Sequence, residues 1–229
     1  MSIFLDSSDV EEIRKWMKLG VIDGVTTNPT ILVKGRVKGG LEEIKRRSIL
    51  IADIVKPHTV SVEVLTNDID KMYKQAIEFS DWAKNIIIKI PFHGPNGELG
   101  NLKVIKDLEE SDVTINCTAM MSAQQCMVAT IVGARYVSLF GGRVNDMGYN
   151  CMEEIKKVRK FLDEFKCGRN TELIVGSTRE AFNIVDWINA GADIVTTPPD
   201  LLEKSLVHPR TKETVQQFLD DAKRIIEKV

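Results

Sequence analysis

The chain has 229 residues, 43% of them hydrophobic and 28% charged, which is ample for one sizeable buried core and for one large domain or two small ones. Thirty-one basic against 33 acidic side chains leave a net charge of −2, so no basic field announces a nucleic-acid partner. No apolar run reaches the roughly 18–20 residues of a membrane-spanning helix, and no basic-then-apolar leader opens the chain, so membrane and export readings fall away. The four cysteines, Cys117, Cys126, Cys151 and Cys167, form no CxxC pair and are expected as reduced thiols of a cytoplasmic protein.

In chain order, short β-rich apolar runs alternate with segments of helical spacing. The first run is 3–6 (IFLD). After it, Ser8 to Glu11 has capping-box spacing, and Val10, Ile13, Trp16 and Met17 share one helical face before Gly20 stops it. The second run, 24–28 (GVTTN), is followed by a polar stretch at 34–40 that is expected as a loop ahead of the next helix. Further runs are 59–65 (TVSVEVL), 85–90 (NIIIKI), 113–118 (VTINCT), 136–140 (YVSLF), 172–177 (ELIVGS) and 193–197 (DIVTT). Glycines at 133 and 191 repeat the helix-stop punctuation immediately before a run.

Eight runs in 229 residues give about 29 residues per unit, close to the roughly 30 of a strand with its crossover helix. Near-continuous apolar strands joined by helices imply parallel strands covered on both faces, and eight of them close into a (β/α)8 (TIM) barrel. The rival is an open doubly wound sheet. It usually carries a Gly-rich turn after the first strand, and here that turn reads DSSD. The whole chain, 1–229, is therefore expected to be one α/β barrel domain. An additional C-terminal helix at about 211–229 carries an apolar stripe (Val215, Phe218, Leu219, Ala222, Ile225, Ile226, Val229) that something must cover.

Barrel chemistry sits at the C-terminal ends of strands. The polar residues there are Asp6, Thr26, Asn28, Glu63, Lys89, Asn116, Thr118, Ser138, Arg143, Ser177 and Arg179. Lys89 stands out, because the run Ile86 to Pro91 offers its amine no obvious route to solvent. An enclosed lysine loses stability as an ammonium, and the neutral amine condenses with a ketone to form a Schiff base. The plainer alternatives are a lysine snorkelling past the strand end or paired with Glu63 or Asp6. Asp6 and Glu63 supply carboxylates for proton transfer, while Asn28, Asn116 and Thr118 can hold hydroxyls and a water without adding charge. Taken singly, Asp6 reads equally as a helix cap and Asn28 as a turn residue. Arg143, Ser177 and Arg179 follow the sixth and seventh strands, where barrels often hold phosphate, although two surface arginines paired with acids would look the same. His58, His93 and His208 show no metal-ligand spacing, and no nucleotide, zinc or magnesium motif is present, so no metal and no cofactor is expected.

These residues resemble the transaldolase family, in particular its short members, the group that includes the fructose 6-phosphate aldolases. The resemblance runs through FLDSSDVEEI, DGVTTNPT, VSVEV, IIIKIP, INCTAMMSAQQ, YVSLFGGRVND, VGSTRE and AGADIVTTPP to HPRT, nearly the whole chain. It implies Lys89 as the Schiff-base lysine, Asp6 as the proton-handling carboxylate, and Glu63 as an acid/base acting through a water that Thr118 helps to hold. It further implies Asn28, Asn116, Thr26, Ser138 and Phe140 as the substrate pocket and Arg143, Ser177 and Arg179 as the phosphate site. Sugar-phosphate substrates and a homo-oligomer, a pentamer or decamer whose last helix packs on a neighbour, are also implied.

Aldolases of the group typically have Gln at the position of Glu63 and Tyr at that of Phe140, so these two residues point to transfer. The sequence departs from the family at Met120–Met121, Leu139, Gly141 and Glu180, which border the expected site. The expectation is a transaldolase of the pentose phosphate pathway; the alternatives are a fructose 6-phosphate aldolase and a non-catalytic sugar-phosphate-binding barrel.

Overall fold

The computed structural model describes residues 1–165 and 170–226. The first half runs β1 (Ser2–Asp6), α1 (Val10–Lys18), β2 (Gly24–Thr26), α2 (Pro29–Lys34), α3 (Gly40–Val55), β3 (Thr59–Glu63), α4 (Ile69–Ser80), β4 (Ile86–Pro91), α5 (Gly100–Glu109). The second continues with β5 (Ile115–Met120), α6 (Ala123–Ile131), β6 (Tyr136–Leu139), α7 (Gly141–Asp146), α8 (Cys151–Glu164), β7 (Glu172–Val175), α9 (Asn183–Ala190), β8 (Ile194–Thr197), α10 (Pro199–Leu206) and α11 (Pro209–Ile226). The strands pair in parallel in the order β1 to β8, and β8 closes on β1: a (β/α)8 barrel with a C-terminal helix.

Residue chemistry explains the layering. Outward-facing strand residues such as Leu5, Val25, Val62, Ile88, Ile90, Val137 and Val195 are fully buried with Trp16, Met72, Phe79, Leu108 and Trp187 of the helices, forming the main core between barrel and coat. Inside the barrel a second, small cluster of Phe4, Ile174 and Ile194, with Tyr136 against it, plugs one end. Gly24 makes room for that plug, since a Cβ there would lie 2.6 Å from the Phe4 ring. Side chains two residues further along a strand point the same way and stack one layer higher. Phe4 thus hands over to Asp6 and Ile194 to Thr196, and the interior changes from apolar to polar within one layer.

Three local expectations need correction. Asp9, not Ser8, caps α1, accepting from the Glu11 and Glu12 amides, while the Ser8 hydroxyl donates to the Ile31 carbonyl. The stretch expected as a loop at 34–40 is one over 35–39, since Lys34 ends one helix and Gly40 begins the next. Asn28 caps a further short helix that Pro29 begins, and only residues 35–39 separate it from α3. The C-terminal helix begins at Pro209, two residues earlier than expected, and residues 227–229, with Val229, lie outside the described residues, as does Cys167. Cys117, Cys126 and Cys151 are buried free thiols, and burial pushes that of Cys151 up to about 12, so it is no ready nucleophile.

Candidate active site

Strand register brings the polar residues into one ring. Asp6 lies beside Thr26, Glu63 beside Lys89, and Lys89 beside Asn116. Above them opens a cavity of about 450 Å³, lined from this set by Asp6, Thr26, Asn28, Lys89, Ser138, Phe140, Arg143, Ser177 and Arg179. Glu63 and Asn116 stand behind that surface, paired on either side of Lys89, and Thr118 pairs with Pro91 two residues further along β4.

Lys89 is 3% exposed. Its Nζ donates to the Thr27 carbonyl at 3.1 Å and sits 3.7 Å from Glu63 Oε2, an ion-pair distance longer than a hydrogen bond. An amine enclosed this far is costly as a bare cation, and Glu63 and Asp6 are the charges that compensate it. Removal from water pushes the Glu63 carboxyl above its ordinary range, more than the Lys89 charge pulls it down, and the Asp6 charge raises it further. Asp6 opens partly onto the cavity. Even so, loss of water raises its carboxyl too, against the lowering effects of Lys89, the Thr26 hydroxyl and Lys34. Asp6 is held by Thr26, whose hydroxyl lies 2.7 Å from Asp6 Oδ1 and 2.6 Å from the Thr196 hydroxyl. Because Asp9 is the cap of α1, Asp6 keeps its carboxylate for the barrel interior.

On the far side of Lys89, Asn116 accepts from Ser138 at 2.7 Å and donates to the Ser61 hydroxyl at 3.1 Å, a chain across β3, β5 and β6. The Thr118 hydroxyl is buried without a protein partner among the described residues. It lies within a change of register between Cys117 and Met120 of β5, next to Ala119 with its left-handed φ of 60°. Asn28 does two jobs. Its Oδ1 accepts the Ile31 amide as the cap of α2, and the residue also lines the cavity.

The cationic side of the mouth is built by β6 and β7. Gly142 passes so close to the chain after β7 that a Cβ would fall 1.8 Å from the Ser177 carbonyl oxygen, and Ser177 itself has φ 61°. That contact sets Arg143, Ser177 and Arg179 along one rim. Arg143 is exposed, with its guanidinium 5.4 Å from the Phe140 ring centre and no acid in ion-pair range among the described residues. Arg179 differs: it pairs with Asp146 at 2.9 Å, and both side chains are about half exposed.

Residues the sequence did not single out also belong here. Thr196 bonds Thr26, Ser61 receives Asn116, the Thr27 carbonyl holds Lys89, and Lys34 reaches the cavity from the end of α2. Thr196 and Ser61 were findable as polar residues inside apolar strands; Lys34 was not, because nothing in its neighbourhood marks it.

A family model described as transaldolase/fructose-6-phosphate aldolase matches residues 3–229. A probable transaldolase of Nitrosopumilus maritimus is 35% identical over 230 residues, covering 98% of this chain and 96% of its relative. Those of Leptospira biflexa, 35% identical over 225 residues (98% and 99% covered), and Petrotoga mobilis, 36% over 224 (98% and 96%), are comparably similar. With an enclosed lysine, two enclosed carboxylates and a rim of arginines at one end of a (β/α)8 barrel, the chain belongs to the transaldolase/fructose-6-phosphate aldolase family.

Proposed function

We propose that the chain is a transaldolase that forms a Schiff base on Lys89 and moves a dihydroxyacetone unit from sedoheptulose 7-phosphate to glyceraldehyde 3-phosphate, yielding fructose 6-phosphate and erythrose 4-phosphate. The observation that carries this reading is Lys89 Nζ, enclosed at 3.7 Å from Glu63 and opening on the same cavity as Asp6. The neutral Lys89 amine attacks the donor's ketone carbon, and water leaves to give the protonated imine. Asp6 takes the C4 hydroxyl proton as the C3–C4 bond breaks, and the bonding electrons pass into the imine as an enamine. The enamine carbon then adds to the acceptor aldehyde, Asp6 returns the proton to the new alkoxide, and water releases the product. Glu63 serves the water steps, with the Thr118 hydroxyl, unpartnered among the described residues, a fitting anchor for that water.

Asn28, Asn116 and Ser138 hold the sugar hydroxyls, while Arg143, Ser177 and Arg179 take the phosphate. Glu63 in place of Gln, and Phe140 with no hydroxyl to protonate the enamine, favour transfer over release of free dihydroxyacetone. No described helix is long and apolar enough to cross a membrane, and we place the enzyme in the cytoplasm, in the pentose phosphate pathway.

We read α11 as the contact with a second copy of the chain in a homo-oligomer, a pentamer or decamer. None of its residues is buried, and Val215, Phe218, Leu219, Ile225 and Ile226 are each about half exposed or more. Incubation with fructose 6-phosphate and borohydride, followed by mass spectrometry, tests the chemistry. A reduced three- or six-carbon adduct on Lys89 is expected; an unmodified chain overturns the reading. Light scattering on the intact chain and on Phe218→Glu/Leu219→Glu tests the assembly, which should fall apart in the variant.

A further inference from the structure

The Schiff-base reading raises a problem of charge that the geometry of α2 answers. Asp6 must be ionised to accept a hydroxyl proton, yet the amine that faces it must be neutral to attack a carbonyl. The charged and titratable groups around Asp6 are few. Glu63 on β3 is a like charge and Lys89 on β4 an opposite one, while the flanking strands β2 and β8 present only Thr26 and Thr196. On the rim, Asp9 is bound to the amides that start α1, and Asp200 lies 3.8 Å from Lys204. Arg143 and Arg179 belong to the β6–β7 side. When Lys89 is neutral, the further cation among the described residues lining the Asp6 side of the cavity is Lys34, since Arg47 is engaged by the Ser8 carbonyl outside that lining.

Its placement is fixed by the fold. Asn28 caps the start of α2, and the Ser8 hydroxyl, two residues beyond Asp6, donates to the Ile31 carbonyl at 3.0 Å. Arg47 ties down the Ser8 carbonyl at 2.6 Å. Gly35, next to Lys34, runs so close to Ser8 that a Cβ would fall 2.1 Å from its hydroxyl. The last turn of α2 is thereby locked onto the segment that leaves β1. Lys34 lines the same cavity as Asp6, and among the described residues no carboxylate neutralises it at ion-pair distance.

We infer that Lys34 is a positioning residue for Asp6: carried at the rim of the shared cavity by the locked last turn of α2, its ammonium supplies the positive charge on the Asp6 side while Lys89 is uncharged. The inference rests on the Schiff-base reading. It also accounts for the lowering influence of Lys34 on the Asp6 carboxyl across a partly solvated cavity.

The test compares pH profiles of kcat/KM for the wild type, Lys34→Met and Lys34→Arg, with borohydride trapping on each. In Lys34→Met the acid limb should move up by roughly half a pH unit, costing about threefold on the acid side and little at the plateau. Lys34→Arg should restore the limb, and added salt should move the wild-type limb toward that of Lys34→Met. An unmoved limb in Lys34→Met, with trapping on Lys89 intact, overturns the role of Lys34 alone. An unmoved limb with KM raised only for phosphorylated substrates also overturns it, making Lys34 an anion contact. Failure of trapping in the wild type removes the Schiff-base reading itself.

Discussion

The floor and the cationic rim of the cavity use charge in opposite ways. On the floor, Lys89, Glu63 and Asp6 are held within strands, short of water, with Thr26, Thr196, Asn116 and Ser138 locking the neighbouring hydroxyls and amides. Burial raises both carboxyls there while the Lys89 charge lowers them, and such perturbed carboxyls are suited to moving protons. At the rim, Arg143 and Arg179 are exposed, the first in the short helix α7 that follows β6 and the second in the segment after β7. They can attract and orient an anion without being desolvated in advance. Changes to the floor should therefore strike the chemical step, and changes to the rim should strike binding.

The sharpest way to break this contrast is Lys89→Ala, which should reduce turnover by at least about 10⁴-fold and abolish the borohydride adduct while the circular dichroism spectrum stays that of a folded barrel. Residual transfer with a normal KM would move the chemistry away from the floor. Next, Glu63→Gln should lower kcat on the order of 10²–10³-fold with donor KM changed little, measured by steady-state kinetics. If this variant instead releases dihydroxyacetone from fructose 6-phosphate faster than the wild type, position 63 sets the balance between transfer and release.

Rim changes should be smaller and of another kind. Arg143→Ala is expected to raise KM for phosphorylated donors by roughly 10–100-fold with kcat nearly intact, and to leave unphosphorylated analogues almost unaffected. Arg179→Ala should cost less, about 3–10-fold, because Arg179 must give up Asp146 to reach a phosphate, whereas Arg143 gives up only an aromatic contact. Equal losses would place the two arginines in equivalent settings, against their different pairing.

The smallest effect is on stability and runs against function. Burial raises the Asp6 and Glu63 carboxyls, so the folded state binds their protons more tightly than the unfolded chain does. Their contribution to stability accordingly falls as pH rises from the ordinary carboxylate range through the raised values. Asp6→Asn keeps the acceptor for Thr26 and removes the charge. It should raise Tm at neutral pH by roughly 2 °C and lose that advantage toward pH 4, as followed by thermal unfolding.

Much of this arrangement was legible in the chain. Eight apolar runs about 29 residues apart announced the barrel, and a lysine, an aspartate and a glutamate inside or ending such runs announced the floor. Capping was less legible. Ser8, Asp9 and Asn28 are all competent caps, and the choice depends on whether another element claims the side chain; Ile31 claims Ser8. Thr196 and Ser61 show locally only as polar residues in apolar strands; which groups they bond, Thr196 across 170 residues, and the place of Lys34 at the rim follow from tertiary contacts that no local pattern encodes.

By itself, the order of residues determined the period of the fold and which polar groups stand at the strand ends, because both follow from the alternation of apolar and polar side chains along single strands. Only the closed barrel decided that β8 meets β1 and that Phe4, Ile174 and Ile194 seal the interior beneath Asp6 and Thr196. It likewise decided that Lys89 rests 3.7 Å from Glu63 in a place water scarcely reaches. Enclosure and charge coupling are properties of groups brought together from distant parts of the chain, and they arise only when the strands close.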